Sequence, residues 1–296
     1  MAKTREAAKV LLLGASGYIG RHALATMDRS RMIGTYCNTP FDGGVYFDPT
    51  KMRVSDIIPS DAKIEHAVIL FAQLGLDACK ADLPASNEIN VRSAVRAIDE
   101  LMELGIKPVY TSSQAVFDGD KGGYTEDDVP VPCLVYGSQK YEVERYLSRN
   151  CDDYAILRLA TVIGTELNDG TIVSSWINQA QRGEAIKGAY DQIFSPVHVD
   201  DVVKAIEATI QLDLRGLYQV AGPDTKSRLE MLQTFVETLG SDAKVVGCSI
   251  FDFNPLDNRP RDLSMSSKKF KEATGISFKT FRQCCEELAQ KATSTR

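Results

Sequence analysis

The chain holds a single tryptophan, three histidines and, among its seven cysteines, no Cys-x-x-Cys pair. A structural zinc site needs clustered Cys and His, and a stapled secreted scaffold needs paired Cys, so neither is expected. Cys37, Cys79, Cys133, Cys151, Cys248, Cys284 and Cys285 read as reduced thiols used as small apolar side chains. No apolar run reaches the ~18 residues of a membrane span, and no membrane partner is expected. The stretch from Met1 to Lys9 is polar and runs straight into a strand pattern, which leaves no room for a secretory leader. A cytoplasmic location follows as the expectation. Neither sign of charge dominates: 34 Lys and Arg stand against 40 Asp and Glu, a net charge of −6. Such a chain has no global field that favours nucleic acid.

What is present is ordinary for a globular protein: 296 residues, 44% hydrophobic and 25% charged. Short apolar runs alternate with helical patterns. Strands are predicted at Lys9 to Leu13, Arg31 to Tyr36, Gly44 to Phe47, His66 to Phe71, Pro108 to Thr111, Tyr154 to Leu159 and Gly216 to Ala221. Helices are predicted at Gly20 to Met27, Pro84 to Leu104, Tyr136 to Leu147, Ser267 to Thr274 and Phe281 to Ala292. Ser227-Arg228-Leu229-Glu230 reads as a capping box that opens one more helix, ended by Gly240. Alternation of this kind predicts an α/β fold, a doubly wound parallel sheet covered on both faces. The expected division is a cofactor domain over residues 1–165, rejoined around 190–222, and a smaller lobe drawn mainly from 166–296.

Gly14-Ala15-Ser16-Gly17-Tyr18-Ile19-Gly20 follows the first strand and opens a helix. Small residues let the backbone approach a diphosphate, and a helix start offers free N–H groups. The stretch Gly34 to Thr39, where such folds often carry an acid for the adenosine ribose, has none. A ribose 2′-phosphate would meet no repulsion near Asn38, and Arg21 is placed to help bind it. NADP is therefore the expected cofactor, with NAD left open. Asp48 is placed to accept a hydrogen bond from the adenine amine, or else to cap a helix that follows.

Tyr136-Gly137-Ser138-Gln139-Lys140 sets a phenol and an ammonium four residues apart, on one face of a helix. A nearby cation is expected to lower the phenol pKa and let it exchange a proton with a carbinol or ketone. Ser112 and Ser113 end the fifth strand, where ligands bind in such sheets. Ser113 is expected to orient a substrate oxygen, and turn chemistry is the competing role for one of the two serines.

With these segments in place the sequence resembles the extended short-chain dehydrogenase/reductase superfamily, and within it the dTDP-4-dehydrorhamnose reductase family. The resemblance rests on Gly14 to Gly20, Asn90-Val91, Thr111 to Gly119, Tyr124 to Asp128, Tyr136 to Lys140, Leu157-Arg158, Pro196 to Asp201 and Arg259 to Asp262. It implies a Rossmann domain, a nicotinamide cofactor and a C-terminal lobe for a nucleotide diphosphate sugar. By motif position it makes Ser113 the catalytic hydroxyl, Tyr136 the general acid and Lys140 the cofactor-binding lysine. It also lines the cofactor with Phe71, Ala72, Gln73 and Ser112. Superfamily members often pair through helices, so a homodimer is an open expectation.

Two departures stand out. The family's Ser-Thr-Asp-Tyr-Val-Phe run is Ser112-Ser113-Gln114-Ala115-Val116-Phe117 here, and Thr161 stands where the family has a tryptophan. Gln114 is thus a substrate-side residue that cannot do acid–base work, which argues against dehydration. The expected activity is NADPH-dependent reduction of a nucleotide-linked 4-keto sugar. Two alternatives stay open: a sugar-nucleotide epimerase with bound NAD, and a non-catalytic NADP-binding subunit like the regulatory β subunit of methionine adenosyltransferase. Arg259 and Arg261 read as diphosphate ligands or as structural ion-pair partners. Cys133 reads as a second acid for epimerisation or as a buried thiol. His198 reads as a site contact or as a packed histidine before a helix, and Trp176 as packing.

Overall fold

The computed structural model describes residues 9–164, 166 and 169–294. Its centre is a seven-stranded sheet. Six strands are labelled in chain order: β1 (Lys9–Leu13), β2 (Met32–Tyr36), β3 (Val45–Tyr46), β4 (Ile64–Ile69), β5 (Lys107–Ser113) and β6 (Ala155–Leu159). The seventh is Gly216–Val220, and the order across the sheet is Gly216–Val220, β6, β5, β4, β1, β2, β3. Every neighbouring pair is parallel. These strands are near-continuous apolar runs because both faces are covered. Helices α1 (Tyr18–Thr26) and Val199–Gln211 bury Ala23, Val202 and Ile206 against Leu12, Val68 and Leu157 on one face. Helices Ala94–Glu103 and Val135–Asn150 bury Ile98, Leu101, Val143 and Leu147 against Leu11, Leu13 and Ile69 on the other. The doubly wound α/β architecture is as expected.

Chain order reverses direction at β1, which has β2 on one side and β4 on the other. A cleft opens there, at the carboxyl ends of the strands.

The C-terminal region adds a third core around Trp176, Met231, Phe235 and Phe281. Three short strand pairs frame it: Val162–Ile163 with Val197–His198, Ile193–Phe194 with Lys226–Ser227, and Ile186–Ala189 with Val245–Cys248. The capping box at Ser227 and Glu230 is formed, and Gly240 closes that helix in the left-handed region, φ 59°.

One expected element is divided. The stretch read as a single helix from Pro84 to Leu104 is a short α segment, Leu83–Asn87, a π turn, Glu88–Ser93, and an α segment, Ala94–Glu103. A periodicity near 3.6 does not register one inserted residue, and π turns of this kind gather at functional sites. Helix Leu76–Ala81 is too short to announce itself by periodicity.

Candidate active site

The cleft is a cavity of about 920 Å³. Gly14, Ser16, Gly17, Tyr18, Ile19, Gly20, Asn38, Asp48, Phe71, Ala72, Gln73, Ser112, Ser113, Gln114, Tyr136, Lys140 and Arg259 all line it. Arg21, expected to help bind the cofactor, is exposed and does not line the cavity; its Nη1 donates to the Ser16 carbonyl at 3.4 Å.

The glycine turn is built for close approach. Gly14 has φ +92°, and a Cβ there would lie 2.8 Å from the Phe71 nitrogen; at Gly20 it would lie 2.5 Å from the Ala15 carbonyl oxygen. Gly17 starts α1 with no side-chain cap and no acid in the first turn, so the leading N–H groups stay available to an anion. Ser112 Oγ is shut off from solvent without a partner among the described residues. These features fit a nicotinamide dinucleotide, held by the glycine turn, the β2 end and the β4 end.

At the β2 end the wall is Tyr36, Cys37, Asn38 and Thr39, with no acid. Asp48 serves its own turn while facing the cavity. Its carboxylate accepts from Thr50 N at 3.0 Å, Thr50 Oγ1 at 2.7 Å and Lys51 Nζ at 2.9 Å. Those contacts with Thr50 and Lys51 hold its pKa below the usual carboxylate range.

Tyr136 and Lys140 share a face of helix Val135–Asn150. Lys140 Nζ lies 5.7 Å from the Tyr136 ring centre and 4.8 Å from that of Tyr110, and donates to the Thr111 carbonyl at 3.0 Å. Burial lowers the lysine pKa to about 8, against an opposing pull from Glu144. The expected lowering of the phenol is not found. Burial raises the Tyr136 pKa, and the nearby Cys79 thiol adds to the rise. A phenol raised from its ordinary value near 10 is protonated at neutral pH.

Ser113 Oγ accepts from the Ala115 N–H at 3.2 Å, so the turn role falls to the serine expected to orient substrate. Gln114 and Thr161, the two departures from the family pattern, are bonded to each other. Gln114 Nε2 donates to Thr161 Oγ1 at 2.8 Å, and the Thr161 N–H donates to Gln114 Oε1 at 3.1 Å. The wall beside Ser113 is therefore an uncharged amide–hydroxyl ring.

Arg259 reaches the cavity but is already engaged: Nη2 pairs with Asp77 at 2.7 Å, and Nη1 donates to the carbonyls of Asp257 and Asn258. Arg261 lies over the Phe251 ring, 5.8 Å from its centre. Cys133 is turned away. Its thiol donates to the Asp118 carbonyl and lines a separate hollow with Pro132 and Asp257, so it is no second acid in the cleft. His198 is buried, accepts from the Asp200 N–H at 3.2 Å and starts helix Val199–Gln211.

Sequence reasoning passed over three supports. Asn90, inside the π turn, takes the Gln73 N–H at 2.7 Å and gives to the Gln73 carbonyl at 3.1 Å and Gln139 Oε1 at 2.8 Å. It thus ties the β4 end to the Tyr136 helix. Gln139 also donates to Ser86 Oγ and Asn87 Oδ1. Tyr18, in the glycine turn, donates to Asp169 at 3.1 Å across the cleft. All three residues stood in segments that carried the resemblance, but their contacts join residues far apart in sequence and leave no local signal.

The family described as the RmlD substrate binding domain matches residues 8–294. The chain belongs to this family. RmlD-type chains are dTDP-4-dehydrorhamnose reductase-like members of the extended short-chain dehydrogenase/reductase superfamily, as the resemblance implied. Among curated proteins, methionine adenosyltransferase 2 subunit beta of Rattus norvegicus is 24% identical over 92% of this chain and 84% of its own. The dTDP-4-dehydrorhamnose reductase of Mycobacterium tuberculosis is 22% identical over 80% and 78%. Among solved structures, the dTDP-4-dehydrorhamnose reductase of Bacillus anthracis in complex with NADP superposes with a TM-score of 0.84. It is 23% identical and covers 97% of this chain and 100% of that one. MoeE5 in complex with UDP-glucuronic acid and NAD gives 0.81, at 22% identity over 96% and 99%. The structural likeness is one of fold.

Proposed function

We propose that this RmlD-family chain is an NADPH-dependent reductase of a nucleotide-linked 4-keto sugar. The observation that carries the reading is that Ser113, Tyr136 and Lys140 line the same cavity as the glycine turn. The reduced nicotinamide, when bound, supplies hydride to the ketone carbon. Tyr136 gives its phenolic proton to the ketone oxygen, and general acid catalysis of this kind is worth roughly 10²–10⁴ in rate. Ser113 orients that oxygen through its hydroxyl. Lys140 holds the cofactor ribose and balances charge beside the phenol. The neutral Gln114–Thr161 ring offers no acid–base pair, which argues against dehydration, and Cys133 faces away, which argues against epimerisation. In this reading residues 1–165, with the return through 190–222, carry the cofactor, and 166–296 mainly carry the sugar nucleotide.

A second reading has one observation in its favour: relatives named as subunits of methionine adenosyltransferase 2 align with 92% of this chain. Here the chain binds NADP and acts on a partner protein without turnover. A panel of 4-keto sugar nucleotides incubated with NADPH and NADH separates the two. Oxidation of the reduced cofactor on at least one sugar supports the reductase. Tight NADPH binding with no turnover across the panel supports the subunit.

A further inference from the structure

Lys140 is a buried cation, and among the described residues its ammonium gives one hydrogen bond, to the Thr111 carbonyl at 3.0 Å. A carbonyl brings only a partial charge, and burial without a close anion disfavours the charged form. The groups that face Lys140 come from three elements. On its own helix, Tyr136 stands one turn before it and Glu144 one turn after. Glu144 is already engaged: its oxygens take Arg158 Nε at 3.0 and 3.2 Å and Nη2 at 2.7 Å, with both side chains buried. Helix Leu76–Ala81 brings Cys79, a thiol that burial keeps protonated. Strand β5 brings Thr111 and Tyr110. Among the described residues no carboxylate pairs with the ammonium.

The Tyr110 ring stands in that place. Its centre is 4.8 Å from Lys140 Nζ, against 5.7 Å for the Tyr136 ring. Tyr110 is 1% exposed, and its hydroxyl is shut off from solvent with no partner among the described residues. Its neighbours in register across the sheet are aliphatic, Ile69 on β4 and Ile156 on β6. A third aliphatic side chain would continue that row without stranding a hydroxyl, which is costly when buried. Packing alone therefore does not account for a tyrosine at this position. A ring face does, because its negative quadrupole attracts an ammonium within about 6 Å, most strongly where water is excluded.

We propose that Tyr110 is a positioning residue for Lys140, its ring face holding the ammonium charged beside β5 while leaving N–H donors free for the cofactor. A carboxylate at that place would also favour the charge, but it would take those donors in short, directed bonds. A ring face holds the charge without claiming them. An ammonium has three donors. With one on the Thr111 carbonyl, the others remain for ribose hydroxyls. The use of the freed donors rests on the reading of Lys140 as the cofactor lysine; the ring contact does not.

The test drains the ring of charge while nearly keeping its shape. The full chain with 3,4,5-trifluorophenylalanine at position 110 is compared with wild type, Tyr110→Phe and Tyr110→Leu, each beside its Lys140→Met counterpart. Urea midpoints are read from pH 6 to pH 10 without cofactor. Subtracting the Lys140→Met curve leaves the stability that Lys140 controls, which rises as pH climbs above its folded pKa of about 8. With trifluorophenylalanine or leucine the rise should begin about one pH unit lower. With phenylalanine it should begin where the wild type's does, and the melting temperature should hold or increase, because an unpartnered hydroxyl is removed. Superposable curves for phenylalanine and trifluorophenylalanine overturn the proposal, even if Tyr110→Leu fails to fold. NADPH titration is the second arm. At pH 8 the trifluorophenylalanine protein should bind about fivefold more weakly than Tyr110→Phe, and at pH 6 equally. A shifted stability curve with unchanged NADPH affinity at both pH values supports the ring contact and counts against Lys140 as the cofactor lysine. An unshifted stability curve counts against the ring contact, whatever the cofactor does.

Discussion

Gln114 and Thr161, 47 positions apart, close a two-bond ring at the carboxyl ends of β5 and β6. Each stands where the reductase pattern has a different residue, and each satisfies the other. The substitutions act as one unit, and the surface they offer a sugar is neutral.

Removing one half should expose that dependence. Thr161→Val strands the Gln114 Nε2 donor while the backbone N–H at 161 still reaches Oε1, and an unsatisfied buried polar group costs about 1–3 kcal/mol. Urea unfolding of Thr161→Val, Gln114→Leu and the double variant should show coupling of about 0.5 kcal/mol or more. Strictly additive losses would show that the two residues contribute independently.

This pair also marks where sequence reading stops. The sheet was legible because strands buried on both faces are apolar runs, and the glycine turn because Gly14 and Gly20 have no room for a Cβ. Tyr136 and Lys140 were legible because a helix brings i and i+4 together. The Gln114–Thr161 bond, the Arg259–Asp77 ion pair and the Tyr18–Asp169 contact depend on tertiary placement, which no local spacing encodes. The direction of the Tyr136 pKa is hidden from the sequence for a related reason. Proximity to a lysine was visible in the spacing, whereas burial of the phenol beside Cys79 was not.

Lys140 links the site to pH. Its pKa falls from 10.5 to about 8 on folding. Between those values the unfolded chain binds more protons, so this group makes stability rise with pH. The burial penalty is fully present below about pH 8 and is relieved as pH climbs towards 10.5. Relative to Lys140→Met, wild type should gain up to about 3 kcal/mol between pH 7 and pH 10. Urea midpoints for the two proteins across that range provide the check; parallel curves contradict it.

Asn90 is expected to support the cofactor from behind. Asn90→Leu removes both bonds to the Gln73 backbone and the bond to Gln139. Stability should fall by about 1–3 kcal/mol per stranded buried group, and NADPH affinity should fall with it. Unchanged NADPH binding in a folded Asn90→Leu protein would show that the π turn does not shape the cofactor wall.

Cofactor preference turns on the β2 end. With no acid from Tyr36 to Thr39, NADPH should bind at least as tightly as NADH. Asn38→Asp places a carboxylate by the ribose and should reverse that order. Fluorescence titration of both cofactors reads the outcome; a wild type that prefers NADH contradicts the reading.

The proton donor is the most direct test of the reductase account. Tyr136→Phe keeps the ring and removes the phenolic proton. On the best substrate of the 4-keto sugar panel, kcat should drop by roughly 10²–10⁴, with NADPH affinity within error of wild type. A Tyr136→Phe protein that oxidises NADPH at the wild-type rate would contradict the mechanism.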